Sequence, residues 1–360
     1  MPVTRLRLAS LPLALALSGC GESAPPAPVV ELHPTADTIA TGFAETPGAA
    51  WLGGSRWAVV APLDVTVALL DFTTHRSTPL GRPGQIKNPA QVFMAGDSLY
   101  VGDWGLRRTS IWSLDGHLVR SIPAAAVARG ALPEGRDEAG RFYLELAPPP
   151  GADGSGNRDS AAVVLADPGI TRVDTLARLA PLDVAEVIGD AGRRFERRVF
   201  SGTDHWGVLA DGSLWVARVY HNRVDVRSPD GRWTKGQPLP DRVLEVTHYD
   251  RELFFRKFPP ELRATAERLP FAPVKPPFEA GLTSPTGDAW LEKSRAPVDS
   301  SRRYHVVDRR GRLREEIRVP GPGRIIAVGA DAALVAEPSR DGVRLLRFDL
   351  PAARADTARP

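Results

Sequence analysis

A unit of about 43 residues recurs along the chain and restricts the fold more than any other feature of the sequence. Each copy begins with a turn that contains Gly, Asp or Ser and continues with two or three apolar residues, often including an aromatic one. The six copies are marked by Trp57, Tyr100, Tyr143, Trp215, Trp290 and Leu334. These positions are separated by 43, 43, 72, 75 and 44 residues, so two of the units carry insertions.

A period in the forties with alternating strands is typical of a β-propeller, in which each unit is one four-stranded sheet. The second unit shows the strand order, with the hairpin signal Asp115-Gly116 before its outer strand. With 34 Pro and 33 Gly, the chain has too many helix breakers for a helical bundle. Each sheet can bury its apolar faces only against its neighbours, so six units predict a closed ring. We therefore predict an all-β fold, a six-bladed β-propeller over residues 32–351.

The two ends of this region predict how the ring closes. The sixth unit ends with its third strand at residues 342–350, and only a polar tail, residues 352–360, follows. Residues 36–40 resemble residues 173–177, which lie in the outer strand of the third unit. We predict that this N-terminal strand completes the last sheet and supplies hydrogen bonds to its exposed edge. A chance similarity between two short strand-like segments is the alternative.

The first insertion is a Pro- and Gly-rich loop at residues 148–160. Asp153, Ser155 and Asn157 alternate there as at the start of an EF-hand calcium loop. Arg158 stands where such a loop requires Gly, and Val164 stands where it requires a bidentate Glu. Calcium binding by this loop is therefore not expected.

The second insertion lies at about residues 241–280 and is predicted to contain short helices. Thr247 and Asp250 have the spacing of a capping box, and Pro260 can begin a second helix. This helical insertion either covers apolar surface or acts as a lid, and segments of this length are often functional.

The N-terminal segment has the features of an exported protein. Arg5 and Arg7 precede an apolar run at residues 8–17 that is too short to span a bilayer. The next residues, Leu17-Ser18-Gly19-Cys20, resemble the lipobox of bacterial lipoproteins, whose cysteine is lipidated and becomes the mature N-terminus. A buried structural cysteine is the alternative interpretation.

The lipobox resemblance implies three further features. Residues 1–19 would be a signal peptide, Cys20 would carry the lipid, and residues 20–31 would be a Pro-rich tether. The protein would then be anchored to a bacterial membrane outside the cytoplasm. In a host with two membranes, Gly21 lacks the aspartate associated with inner-membrane retention, which favours the outer membrane or the periplasmic side.

The charge balance bears on the partners. Without residues 1–19 the chain has 44 basic and 43 acidic residues, whereas a nucleic-acid-binding protein should show a basic surplus or stripe. We therefore expect no nucleic acid among the partners. The expected partners are membrane lipid through Cys20 and an unknown protein, peptide or glycan.

The repeats and the lipobox together resemble bacterial lipid-anchored propellers of the NHL or TolB-like kind, whose function is uncharacterised. In propellers generally, the segments after the second strands lie on one face that commonly binds ligands. By alignment, these segments contribute Asp103, Trp104, Glu145, Arg218, Tyr220, His221, Glu292, Arg295 and Glu337. Mixed charges beside aromatic side chains fit a polar ligand, whereas the simpler interpretation is that strand ends are solvated and therefore charged.

Signals for catalysis are weak. The chain has no G-x-S-x-G motif, its only cysteine is Cys20, and its seven His include no close pair. A zinc site assembled from His205 and His221 stays open, because distant residues can share a metal. We expect a noncatalytic binding or scaffold module without a cofactor.

The alternative is a metal-dependent hydrolase of lactonase or esterase type. Six-bladed lactonase propellers hold a central calcium with carboxylate and Asn ligands, and none of the three Asn of this chain has a recognisable counterpart. Four carboxylates could replace the amides as oxygen ligands, namely Asp103, Glu145, Glu292 and Glu337.

Overall fold

The structure, a computed structural model, describes residues 27–147, 160–189 and 192–351. The predicted signal peptide, Cys20, the EF-hand-like positions Asp153 to Asn157 and the tail at residues 352–360 lie outside the described residues. The described strands form seven sheets, a two-stranded hairpin and six larger sheets in a ring, and the innermost strand of each larger sheet contacts those of its two neighbours. The predicted six-bladed β-propeller is therefore confirmed. No helix within the described ranges is long and apolar enough to cross a membrane.

Two short strands precede three regular blades. The two are β1 (Val29–Glu31) and β2 (Pro34–Ala40). Blade 1 contains β3 (Gly48–Gly53), β4 (Arg56–Ala61), β5 (Thr66–Asp71) and β6 (Arg76–Pro79). Blade 2 contains β7 (Pro89–Ala95), β8 (Ser98–Asp103), β9 (Arg108–Ser113) and β10 (Leu118–Pro123). Blade 3 contains β11 (Gly135–Arg136), β12 (Phe142–Leu146), β13 (Ala162–Ala166) and β14 (Val173–Arg178).

The second half of the ring carries the insertions. A hairpin of β15 (Val184–Gly189) and β16 (Gly192–Arg197) precedes blade 4. Blade 4 contains β17 (His205–Val208), β18 (Leu214–Arg218), β19 (Arg223–Arg227) and β20 (Trp233–Thr234). Helices α1 (His248–Phe255) and α2 (Pro260–Ala266) follow. Blade 5 contains β21 (Phe278–Thr283), β22 (Ala289–Lys293), β23 (Ser301–Val307) and β24 (Leu313–Pro320). Blade 6 contains β25 (Arg324–Val328), β26 (Ala332–Ser339) and β27 (Gly342–Asp349).

The two faces of the ring follow from this strand order. Each blade is an antiparallel meander whose first strand is innermost. The turns between first and second strands and between third and fourth strands therefore share one face, which we call the turn face. The turns between second and third strands and the connections between blades share the other, which we call the connection face.

The core lies between the blades. Among the described residues there are six buried apolar clusters, one for each pair of neighbouring blades. The marker residues of the repeat lie on the second strands, and Trp57 and Trp215 are almost completely buried. Because both faces of a blade are covered in this way, the second strands read as continuous apolar runs rather than as alternating ones.

The N-terminal closure is confirmed. Strand β2 pairs antiparallel with β27, with Ile39 opposite Leu345, and so supplies the outer strand of blade 6. Strand β1 pairs parallel with the outer strand β24 of blade 5, although it lies in the segment predicted as the tether. Leu32, between the two strands, is buried in the cluster between blades 5 and 6. The start of the described chain is thus bonded to two blades at once.

The helical insertion is present, and a second structured insertion accompanies it. Thr247 and Asp250 form the predicted capping box at the start of α1, with reciprocal hydrogen bonds of 3.2 and 2.9 Å. The β15–β16 hairpin between blades 3 and 4 escaped the sequence analysis, because β16 consists mostly of Arg and Glu and lacks the apolar pattern of a blade strand. The two insertions pack together through Phe200, Phe254 and Phe271, whose ring centroids lie 5.6–6.1 Å apart.

We expect the substitution Ile39→Ala to lower the free energy of unfolding by about 2–5 kcal/mol, because it opens a cavity beside β27 in the cluster between blades 1 and 6. Denaturant unfolding of the purified, signal-free protein measures this change. The matched control is Leu63→Ala, which removes an exposed side chain and should change stability by no more than about 0.5 kcal/mol. Equal effects of the two substitutions would show that β2 does not fasten the ring.

Candidate functional site

A cavity of about 950 Å³ occupies the centre of the ring and is lined by the inner strands of all six blades. Its lining includes residues at the turn face, such as Gly96, Asp211 and Pro285. The cavity therefore extends along the channel toward the turn face, whereas the sequence analysis placed the ligand on the connection face.

The lining combines apolar rings with charged and hydroxyl groups. Trp51, Phe93, Met94 and Trp206 supply the large apolar side chains. The polar side chains are those of Glu134, Arg136, Asp137, Glu138, Asp211, Thr283, Ser284 and Arg309. Such a mixture of apolar rings and placed polar groups suits small organic ligands that have both polar and apolar parts.

Half of the charged groups of the lining are neutralised by neighbours. Asp137 accepts hydrogen bonds from Arg141 Nε at 2.7 Å and from Tyr143 OH at 3.1 Å. Asp211 of blade 4 pairs with Arg309 Nη2 of the neighbouring blade 5 at 2.8 Å. The pairing leaves Glu134, Arg136 and Glu138 as the unpaired charged groups of the lining.

Glu134 is exposed to the channel but is surrounded by its protein walls. Desolvation by these walls raises the pKa of Glu134 to about 8, and the negative charge of Glu145 adds to the effect. At neutral pH the Glu134 carboxyl is therefore largely protonated and can donate a hydrogen bond as well as accept one.

Glu145, a residue predicted from the sequence, acts on the cavity through a neighbour. Its Oε2 accepts a hydrogen bond of 2.9 Å from Trp206 Nε1. Trp206 lines the cavity from blade 4, whereas Glu145 belongs to β12 of blade 3. This bond holds the indole ring of Trp206 as part of the wall, so Glu145 is a positioning residue rather than a lining one.

Glu292 forms the most buried charge network near the channel. Its side chain is only 2% exposed and binds both Arg302 and Arg324, the latter at 2.6 Å. Arg324 opens the inner strand of blade 6, so the network joins blade 5 to blade 6. Both carboxylate oxygens of Glu292 are occupied by guanidinium groups.

The other predicted carboxylates also have partners. The buried Asp103 carboxylate accepts three hydrogen bonds of 2.7–3.0 Å from the backbone N–H groups of Lys87, Asn88 and Leu106. It thereby shapes the loop that leads into blade 2. Glu337 pairs with Arg344 at 2.9 Å across the adjacent strands of blade 6.

The remaining predicted residues fall into two groups. Arg218, Tyr220 and His221 come together in a pocket of about 360 Å³ on the connection face of blade 4. Trp104 is exposed on blade 2, and the carbonyl oxygen of Arg295 accepts a hydrogen bond of 2.8 Å from Lys275 in the insertion. None of the nine predicted residues lines the central cavity.

A metal does not fit these side chains. Within the part of the chain that the structure describes, no group of three or more His, Cys, Asp or Glu could hold an ion. Asp103, Glu292 and Glu337 use their oxygens for backbone amides or arginines, so each would have to give up a bond to ligate calcium. Burial and then the nearby Arg324 lower the pKa of His205 to about 4, so its imidazole is neutral, the form that binds metals. Within the described residues, however, His205 belongs to no group of three or more ligating side chains.

Sequence reasoning missed the cavity lining, but a signal for it exists. Three inner strands carry a glycine where a Cβ atom would lie less than 3 Å from a neighbouring side chain, at Gly135, Gly207 and Gly281. A Cβ atom at Gly207 would lie 2.1 Å from Thr283 Oγ1 of the next blade, so the strand requires glycine there. Glycine inside a strand often marks such a close approach, and its recurrence identifies the strands that surround the channel.

The sequence matches no protein-family model and no curated protein. Among solved structures, a member of the DUF4221 family from Bacteroides vulgatus is similar, with a TM-score of 0.49 and 10% identity, covering 89% of this chain and 98% of that one. Regucalcin, a calcium-binding protein from Agrobacterium tumefaciens, has a TM-score of 0.46 and 10% identity, covering 91% and 100%. A gluconolactonase from Xanthomonas campestris has a TM-score of 0.45 and 12% identity, covering 86% and 87%. These similarities supply no argument about a ligand or a reaction.

We expect Glu292→Gln to lower the free energy of unfolding by about 2–3 kcal/mol, because it leaves Arg302 and Arg324 without the charge that compensates them. Glu337→Gln is the matched control. Its ion pair with Arg344 is half-exposed, so the loss should stay below about 1 kcal/mol. Thermal and denaturant unfolding at neutral pH measure both. A larger loss for Glu337→Gln would contradict the assignment of Glu292 as the joint between blades 5 and 6.

Proposed function

We propose that this protein is a noncatalytic binding propeller that holds a small amphipathic ligand in its central cavity. We also propose that it is a lipoprotein of the NHL or TolB-like kind, displayed outside the cytoplasm through lipid on Cys20. The central cavity is the observation that carries the binding role. Its volume of about 950 Å³ lies in the range of small-molecule sites, about 300–1,000 Å³.

The charges of the lining favour a ligand without net charge. Asp137 and Asp211 are paired with arginines, and Glu134 is largely protonated at neutral pH. Arg136 and Glu138 then carry one charge of each sign. A ligand with several charges of one sign would meet only one opposite charge in the lining, whereas hydroxyl groups can exchange hydrogen bonds with the Thr283 hydroxyl and the Glu134 carboxyl.

The aromatic walls favour a flat apolar part in the same ligand. The Trp206 ring is held in place by Glu145, and Trp51 is fixed by a hydrogen bond of 3.0 Å from its Nε1 to the carbonyl of Gly54. Rings fixed in advance lose little conformational freedom when a ligand packs against them. A glycoside with an aromatic or alkyl aglycone has the required combination of hydroxyl groups and apolar surface.

We expect Ala210→Trp to weaken binding at least tenfold. Ala210 is exposed and lines the cavity, so an indole there fills space that the ligand would occupy without disturbing the core. Binding is measured with a panel of alkyl and phenyl glycosides by ligand-observed NMR and by the intrinsic fluorescence of the wall tryptophans. The matched control is Ala139→Trp, at an exposed alanine that does not line the cavity, and it should bind as the unchanged protein does.

Two outcomes would contradict the channel proposal. In one, no member of the panel binds; in the other, both tryptophan variants bind equally well. Calcium is included as a separate arm, because a stoichiometric ion whose removal lowers the melting temperature would favour the metal-dependent hydrolase instead.

The membrane display has its own test. In cells, Cys20→Ser should move the protein from the membrane fraction to the soluble fraction, because the serine hydroxyl does not accept the thiol-linked lipid. Metabolic labelling with a fatty acid should mark the unchanged protein and leave the variant unmarked. A variant that stays membrane-bound and labelled would remove the basis for the lipoprotein assignment.

A further inference from the structure

The pocket of about 360 Å³ on the connection face is separate from the central cavity and shares no lining residue with it. It lies where blades 3 and 4 meet, at the two ends of the insertion that contains the β15–β16 hairpin. Arg178 ends the outer strand of blade 3, and Arg218 and Arg223 flank the turn between β18 and β19. Three arginines therefore line one small pocket, and Arg218 Nη1 donates a hydrogen bond of 2.6 Å to the carbonyl oxygen of Arg178.

The two carboxylates of the pocket are committed to internal bonds. Asp204 accepts hydrogen bonds of 2.8–3.0 Å from Ala180 N, Val219 N and Arg218 Nη1. Asp225 accepts bonds from Arg223 Nε at 2.7 Å and from Gly236 N at 3.3 Å. Burial works to raise the pKa of Asp225, but the hydrogen bond and charge of Arg223 outweigh it and lower the pKa. The oxygens of both carboxylates are occupied by these donors and have little capacity to bind anything else.

The donors of the pocket are in excess. Three arginines and two aspartates line the pocket, which leaves a surplus of one positive charge. The guanidinium of Arg178 is exposed and forms no hydrogen bond or ion pair with any residue that the structure describes. Arg218 and Arg223 are held rigidly by the two aspartates, so their remaining N–H groups are oriented before any ligand arrives.

Two rings stand beside these donors. His221 is exposed, and Tyr220 is 59% exposed although its OH donates a hydrogen bond of 3.3 Å to the carbonyl of Pro181. An exposed aromatic ring that is tied at its polar tip offers a flat surface beside the guanidinium groups. It can pack against the body of a ligand whose anionic group is bound by the arginines.

The geometry points to a second binding site here, for the oxyanion of a small ligand, a phosphate or a carboxylate. Arg178, Arg218 and Arg223 bind the oxyanion, and the guanidinium fork suits the geometry of both groups. Asp204 and Asp225 orient the arginines and do not contact the ligand. The site goes beyond the proposed function of the central cavity and does not depend on it.

The test titrates the purified, signal-free protein with inorganic phosphate and, in a separate arm, with malonate. Chloride at the same ionic strength accounts for simple screening. We expect saturable binding of one anion per chain, and the arm with the tighter binding identifies the class of ligand. Arg178→Gln should weaken that binding at least tenfold. The affinity of Arg178→Lys should lie between those of the unchanged protein and Arg178→Gln, because lysine keeps the positive charge but lacks the paired N–H donors of the guanidinium group.

The matched control is Arg76→Gln. Arg76 is likewise exposed and on the outer strand of a blade, but it lies outside the pocket. Arg76→Gln should leave anion binding unchanged. Because neither arginine supports the core, Arg178→Gln, Arg178→Lys and Arg76→Gln should all have the melting temperature of the unchanged protein. Anion effects no larger than those of chloride, or equal losses in Arg178→Gln and Arg76→Gln, would overturn the site. Ala210→Trp should leave phosphate and malonate binding unaffected, so the failure of one site is distinguishable from that of the other.

Discussion

Burial of apolar surface between neighbouring blades is the interaction on which the rest of the structure depends. A single four-stranded blade has two apolar faces and cannot cover either of them alone, so each of the six buried clusters requires the next blade. The requirement is satisfied only when the last blade meets the first. Strand β2 completes blade 6, β1 extends blade 5, and Glu292 adds a buried ionic joint between those two blades. Blades 5 and 6 are therefore joined to the start of the described chain, and to each other, by bonds beyond their shared apolar cluster.

The same packing determines the channel. Because the inner strands of neighbouring blades must approach closely, side chains at the contact points have to be small, as at Gly135 and Gly207. The larger inner-strand side chains pack against the clusters between blades and also line the channel, as Trp51, Phe93 and Trp206 do. A cavity with apolar walls and a few polar groups is thus a consequence of closing the ring. Its particular charges are a property of this chain, because Asp211 depends on Arg309 of another blade.

The sequence predicts the parts of the structure that depend on local pattern. The repeat markers such as Trp57 and Trp215 identify the second strands, and residues 36–40 identify the closing strand, because apolar runs and turns are local features. The binding partners of a charged side chain at a strand end are determined by residues far away in the sequence. Asp103 and Glu292 occupy similar positions in their units, yet one binds backbone amides of a preceding loop and the other binds arginines of later strands. Position in the repeat therefore predicted neither role.

The departures from the repeat are concentrated around blade 4, and this distribution separates stability from recognition. Both structured insertions connect to blade 4 on the connection face, so they can vary without interrupting any cluster between blades. The two ends of the insertion with the β15–β16 hairpin supply Ala180 and Pro181 on one side and Asp204 on the other, and these residues bring the arginines of blades 3 and 4 into one pocket. A regular connection of the kind found between blades 1 and 2 would leave Arg218 without Asp204 to orient it. The ring supplies a rigid frame through its symmetry, and a site of defined charge arises where that symmetry is broken.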